Sequence, residues 1–252
     1  MSQVKERPSP GDDSERAYWS EKLAGRPPAL ELPTTRSRPP QPTSKRTRLA
    51  FKLPNELTRD LRAFLDTNDV PLFDGMLAAF SALLYRTTRQ GDLLLGLREE
   101  GRHAALRFAL EGSLSFRELL GSTRRELREC RAHALELPAL LKAAHSTRPD
   151  NLFQVLVTSD KLGAADAQGY DLMLALTKGA AGSLYYDAEL LDPRVVERML
   201  GHLEMLLRGA LEQPDAPLGK LPLLTDAERH TILAEWNATA TEFPRDFCLH
   251  QL

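Results

Sequence analysis

Proton transfer near neutral pH is the chemistry that histidine serves best, and the chain has six: His103, His133, His145, His202, His230 and His250. No two are adjacent, and none stands in a His-x-x-x-Asp or His-Glu-x-x-His arrangement. His133 and His145 flank Glu136, and a kink at Pro138 that brought them together gives an imidazole with a carboxylate to orient it, as general-base catalysis requires. Two solvent-facing histidines near helix ends is the simpler reading, and the spacing favours it. His103 lies in the charged stretch REEGRHA and reads as a solvated turn residue. Cys130 has Arg128, Glu129 and Arg131 beside it, where a partly buried structural thiol fits better than a nucleophile. The other cysteine, Cys248, is remote, so the chain has neither a disulfide framework nor the spacing of a zinc site. No Gly-x-Gly-x-x-Gly, Gly-x-x-x-x-Gly-Lys-Ser/Thr or Gly-x-Ser-x-Gly pattern is present, which leaves nucleotide cradles and hydrolase nucleophiles without local support.

Charge narrows the partners. Thirty-three Lys and Arg stand against 35 Asp and Glu, a formal net charge of −2, so no global field favours nucleic acid or an anionic membrane. SKRTR (44–48) is basic, but Phe51 alternates toward the core and no aromatic pair offers a platform for bases, so a solvated strand edge is the better reading. RELLGSTRRELRECR (117–131) interleaves Arg117, Arg124, Arg125, Arg128 and Arg131 with Glu118, Glu126 and Glu129 at helical spacing. Ion pairs within an exposed helix are expected there, with docking of an acidic partner as the alternative. The N-terminus has no apolar signal region, and no stretch approaches the ~18 apolar residues of a membrane span. A cytoplasmic protein with no nucleic-acid or membrane partner is the expectation.

The 252 residues are 42% hydrophobic, enough for one large or two small domains. SERAYWSEKLA (14–24) predicts a short helix that anchors Tyr18, Trp19 and Leu23, followed by a tether in which six prolines between 27 and 42 block regular hydrogen bonding. RLAFKL alternates as a strand, and Pro54 opens a helix with Leu57, Leu61, Phe64 and Leu65 on one face. Residues 72–87 predict a helix buried on more than one side, and 92–97 a strand covered on both faces. ALRFAL (105–110) reads as a strand, and 113–144 as mostly helix with a break at Pro138. NLFQVLVTS, YDLMLAL and GSLYYD predict three further strands. Asp192-Pro193 caps and opens a helix to about Leu211, and TDAERHTILAEW (225–236) a short one beyond a Pro-punctuated linker. Strands mixed with long helices predict an α/β fold, a mixed β-sheet with helices packed on it.

Taken in order, AYWSEKLAGRPPALELPTTRSRP (17–39), LPNELTRDLRAF, PLFDGMLAAFSALLYRTTRQGDLLLG (71–96), SFRELLGSTRREL, NLFQVLV, YDLMLAL, GSLYYDAELLDPRVVERMLGHLEMLL and PLLTDAERHTILAEWNATATEFPRDFCLHQL resemble the condensation domains of nonribosomal peptide synthetases. The resemblance runs over nearly the whole chain from Ala17. It implies one lobe, the C-terminal one, of a chloramphenicol-acetyltransferase-like fold, running into a linker and the start of an adenylation domain. The division it implies is an N-terminal helix and tether (1–48), a condensation-like lobe (49–213) and a linker with the start of the next domain (214–252).

Several departures from the family pattern bear on function. The family's His-His-x-x-x-Asp-Gly motif is absent from these residues. Where the family has a long insertion with a Gly-x-Phe-Val-Asn-Thr segment, only REEGRHAAL (98–106) stands. The family's His/Asn-Gln-Asp-x-Pro-Phe-Glu motif is matched only by 134–140, ALELPAL, with His133 one place out of register. Of its Arg-Asp-x-Ser-Arg-x-Pro-Leu-Phe stretch, Arg148, Leu152 and Phe153 remain. The resemblance with its departures implies a truncated, catalytically inactive domain that acts as a platform for the adenylation domain, with Leu223, Leu224 and Trp236 as interface anchors. It implies no cofactor here, phosphopantetheine being carried by a partner carrier protein. The alternatives are a docking module for an upstream synthase or carrier protein through the arginine-rich helix, and half of a condensing or acyl-transfer enzyme completed in trans.

Overall fold

The computed structural model of the chain describes residues 10–36, 45–146, 152–177 and 179–238. In chain order its elements are α1 (Pro10–Lys22), β1 (Arg46–Lys52), α2 (Asn55–Thr67), α3 (Leu72–Thr88), β2 (Asp92–Glu99), β3 (Arg102–Ala109), α4 (Phe116–Ala132), α5 (Leu137–Ala143), β4 (Val155–Thr158), β5 (Leu172–Leu176), β6 (Ala181–Asp187), α6 (Pro193–Glu212) and α7 (Asp226–His230). The strands form one six-stranded sheet in the order β1-β6-β5-β4-β2-β3. β2, β4 and β5 run parallel to their neighbours in that trio, and the other pairings are antiparallel.

Register gives each face its own character. Ala104, Leu97, Val157, Leu174, Leu184 and Leu49 are cross-strand neighbours in one row across the whole sheet, and all but Leu49 are buried. The adjacent row, pointing to the opposite face, is His103, Arg98, Thr158, Ala175, Ser183 and Ala50. One residue of register thus separates an aliphatic row from a largely polar one.

The helices begin and end where their local chemistry dictates. Ser115 and Glu118 form a reciprocal capping box at the start of α4, and the Asp192 carboxylate accepts from the Arg194 amide at 2.8 Å to open α6, with Pro193 in the first turn. The break in 113–144 comes earlier than Pro138 suggests. Helix α4 ends at Ala132, Leu135 then exchanges backbone hydrogen bonds with His103 (2.6 and 2.8 Å), and Pro138 sits in the first turn of α5. A proline lacks only an amide that a first turn leaves unpaired, so it starts α5 rather than kinking α4.

Edges are closed unequally. On β3 the Arg107 amide donates to Glu126 of α4 at 2.7 Å, and the Ala105 carbonyl accepts from the Cys130 thiol at 3.3 Å. Together with the Leu135 bridge, these bonds remove β3 as a template for further strand pairing. At the other edge, β1 carries Arg46, Arg48 and Lys52. Charge on an edge strand opposes pairing with other chains.

The N-terminal segment is part of the same core. Trp19, Leu23, Leu30 and Leu32 are buried in it. Beyond α1 the chain is held by side chains that imitate a strand partner: the Leu30 amide donates to the Gln154 carboxamide (2.8 Å) and the Glu31 amide to Gln90 (2.7 Å).

Candidate interaction surface

The polar row of the sheet is the first place to look for chemistry, and most of its groups are spent on structure. The Thr158 hydroxyl accepts from the Asp160 amide at 3.0 Å, Ser183 accepts from Arg48 at 2.9 Å, and Arg98 pairs with Asp166 at 3.0 Å. His103 is buried, contrary to the solvated turn position expected for it, because strand β3 begins at Arg102 and carries it inward. Burial and the nearby Arg98 hold its pKa below the ordinary histidine value. Its Nδ1 has no hydrogen-bond partner among the described residues. Ser183 lies on β6, four strands away from β3. At about 4.8 Å per strand that separation is about 19 Å, so the serine and the histidine do not form a nucleophile–base pair.

The pairing of His133 with Glu136 and His145 is not built. His133 Nδ1 lies 2.9 Å from Glu15 of α1, and its ring stacks on Tyr18 with centroids 3.8 Å apart. The Trp19 indole donates to the His133 carbonyl at 2.9 Å, and Tyr18 donates to Glu129 at 2.8 Å. His133 therefore ties α1 to α4, while His145 is exposed with a positive φ of 51°. Cys130 is buried against β3, and burial pushes its thiol well above the ordinary range, which makes it a poor nucleophile. Among the described residues no group of three or more His, Cys, Asp or Glu is placed to hold a metal ion.

In the clefts that open on the surface among the described residues, oppositely charged side chains pair with each other. A cleft of about 770 Å³ is lined by Lys22, Asp92, Arg107 and Glu126, in which Lys22 pairs with Glu126 (2.9 Å) and Arg107 with Asp92 (2.8 Å). Another of about 450 Å³ is lined by Glu99 and Arg131, themselves paired at 2.7 Å.

The arginines of α4 do not pair within their helix as expected. Arg117 reaches Asp215 (2.7 Å) and Asn68 (2.9 Å), Arg124 reaches Asp69 (2.7 Å), and Arg131 reaches Glu99 with Asp74 behind it at 3.6 Å. The glutamates Glu126 and Glu129 turn instead toward Lys22 and Tyr18 of α1. Tertiary neighbours outcompete the i, i+4 partners because the helix is packed on both flanks. Arg125 and Arg128 are exposed, with no carboxylate partner among the described residues.

The C-terminal segment presents the opposite chemistry. Leu223 packs against the core, whereas Leu224 is 42% exposed and Trp236 71%. Ile232 (36%) and Leu233 (60%), which the sequence does not single out, join them. These four are all of the large apolar side chains exposed among the described residues. Helix α7 is capped by Thr225 and Glu228, and residues 231–235 continue it as a single π-helical turn that ends at Trp236. Such widened turns recur at functional sites. The signal that points to Ile232 and Leu233 is TILAEW itself, three apolar residues and an alanine in a segment too short to bury them. Arg148, Cys248 and His250 lie outside the described residues.

A condensation-domain family model matches residues 3–233. A phosphinothricin tripeptide synthetase, PhsB of Streptomyces viridochromogenes, is 31% identical over 267 residues, which is 90% of this chain and 22% of that protein. The four-domain nonribosomal peptide synthetase AB3403, bound to AMP and glycine, superposes with a TM-score of 0.77 at 17% identity, over 88% of this chain and 21% of that one. The X-domain from teicoplanin biosynthesis, in complex with OxyB, gives 0.74 at 22% identity, over 86% of this chain and 56% of that one. The structural likenesses show a common fold, and the chain spans a small part of the synthetase it matches in sequence.

Proposed function

The chain belongs to the condensation-domain family of nonribosomal peptide synthetases, with its chloramphenicol-acetyltransferase-like fold, and from that premise we propose that it is a non-catalytic lobe serving as a structural platform for an adenylation domain. The observation that carries this reading is the confinement of exposed large apolar side chains, among the described residues, to Leu224, Ile232, Leu233 and Trp236. An aromatic with two or three aliphatic neighbours is the composition of a buried interface centre, and a partner of that kind gains the most by covering it. Two further features support the non-catalytic part. The chain holds no adjacent histidines, so an imidazole from the family's His-His-x-x-x-Asp-Gly motif has to come from outside these residues. Between β2 and β3, where the family carries a long insertion, Glu100 and Gly101 make a two-residue turn with φ of 52° and 77°, gripped by the Asp160 carboxylate through both amides. The reading assigns no cofactor to this chain and leaves phosphopantetheine to a partner carrier protein.

The test is a paired substitution, Leu233→Ser with Trp236→Ala, in the synthetase that contains these residues. Reduced adenylate formation or loss of soluble adenylation domain, with the lobe still folded, is the expected result. Unchanged values for both refute the platform. A second reading rests on Arg125 and Arg128, whose exposed guanidinium groups suit an acidic carrier or synthase, and the similar X-domain is found in complex with OxyB. Reversing both charges separates the two readings, since it weakens an acidic partner and leaves the apolar edge untouched.

A further inference from the structure

The segment that follows α6 is held in two different ways along its length. At its root it is locked. Leu218 and Leu221 are buried, the Leu218 and Gly219 amides donate to Leu114 and Gly112 carbonyls (2.7 and 3.0 Å), and Arg86 of α3 donates to the carbonyls of Leu218 and Leu221. The Pro222 ring lies directly on Gly209 of α6, where a methyl group would overlap it.

From Thr225 onward the hold is slight. No residue of α7 or of the π-helical turn after it is buried. A Cβ added at Gly201 would stand 3.4 Å from the Thr225 methyl, in ordinary van der Waals contact, so the Thr225 side chain lies over α6 there. Among the described residues the polar contact to α6 is made by His202, whose Nε2 lies 2.9 and 3.0 Å from the two oxygens of Glu228. That carboxylate also accepts from the Thr225 amide (2.8 Å) and hydroxyl (2.9 Å), closing the capping box of α7. Burial raises the Glu228 carboxyl, but the Thr225 and His202 hydrogen bonds outweigh it and hold the group below its ordinary value.

A helix this short has no stability of its own in water, so its existence and its direction both depend on what ties it down. We propose that His202 is the positioning residue of this arm: through Glu228 it latches residues 225–236 onto α6 and fixes the direction in which Leu224, Ile232, Leu233 and Trp236 are presented. One carboxylate serves both the helix cap and the latch, which couples folding of the arm to its seating. This deepens the platform reading and rests on it for the identity of the partner, but the latch itself is a property of this chain.

The experiment is amide hydrogen exchange on the 252-residue chain in three forms: unaltered, His202→Ala and His202→Gln. Loss of one charge-assisted hydrogen bond predicts that His202→Ala speeds exchange over 226–236 by about tenfold or more, with the sheet and α6 unchanged. His202→Gln keeps a neutral donor of similar reach and restores protection, which a general packing defect would not allow. Unprotected amides in the unaltered chain, or unchanged exchange in His202→Ala, overturn the latch. If the arm is released in His202→Ala while adenylate formation in the synthetase is unaffected, the latch stands and the platform reading fails.

Discussion

Buried ionisable side chains set the pH behaviour of this lobe. Burial and Arg98 hold the His103 pKa below the usual value in the folded chain, so the folded chain takes up this proton at lower pH than the unfolded chain, which does so near pH ~6.5. The unfolded state then binds more protons as pH falls, so the contribution of this group to stability is complete above pH ~6.5 and is lost progressively as pH falls from there through the lower folded value. Urea unfolding between about pH 7.5 and 5.5 should show stability declining by no more than about 1.4 kcal/mol per pH unit from this source. His103→Leu should flatten that slope, and an unaltered slope in the variant would show that another group titrates. The ion pair between Arg46 and Asp187, at 2.7 Å with each side chain 3% exposed, behaves differently because neither partner has water to turn to. Arg46→Ala removes the cation facing a buried carboxylate, which keeps the Glu189 amide at 2.9 Å, and should cost up to about 3–5 kcal/mol by denaturant titration. The surface pair of Arg124 with Asp69, whose aspartate is 92% exposed, should be worth less than about 1 kcal/mol in the same assay.

At the scale of elements, the attachment of α1 is concentrated on a few residues. Trp19 is fully buried and donates to the His133 carbonyl, while the surrounding contacts are the charged pairs of Lys22 and the stacked Tyr18. Trp19→Ala should therefore cost about 3–5 kcal/mol, and limited proteolysis should cut first within 14–36 while the sheet stays intact. Cleavage within α6 or β5 at the same rate would show that α1 belongs to one cooperative unit with the sheet. Most elements are legible in the sequence because their apolar spacing is strong and their ends are marked: Ser115 with Glu118 for α4, Asp192 with Pro193 for α6, and the unbroken apolar run of β2. What is not legible depends on contacts distant in sequence. Pro138 signals a break in a helix equally with the start of one, and only the bridge from Leu135 to His103 decides between them. The arginines of α4 have glutamates at ideal spacing, yet Asp69 and Asp215, far away in the chain, take two of them.

For the molecule as a whole, the resemblance of successive segments to condensation domains carries the fold, while the surface it offers a partner is only partly visible in the sequence. Leu224 and Trp236 are legible as apolar residues stranded in a polar tail, but Leu223 beside them turns inward, and Ile232 and Leu233 turn outward. One position in the extended stretch before α7 separates a residue packed on the core from an exposed one, a choice that apolar composition alone does not make. The two tryptophans report on this division directly, since Trp19 is fully buried and Trp236 is 71% exposed. Iodide quenching of the isolated chain should resolve one protected and one accessible emitter, and Trp236→Phe should remove the accessible one alone. The platform reading requires this edge to be covered, so joining the chain to an adenylation domain should shift the accessible emission to the blue and remove its quenching. Undiminished quenching of Trp236 in that assembly would place the adenylation domain elsewhere on the lobe and leave the apolar edge to a different partner.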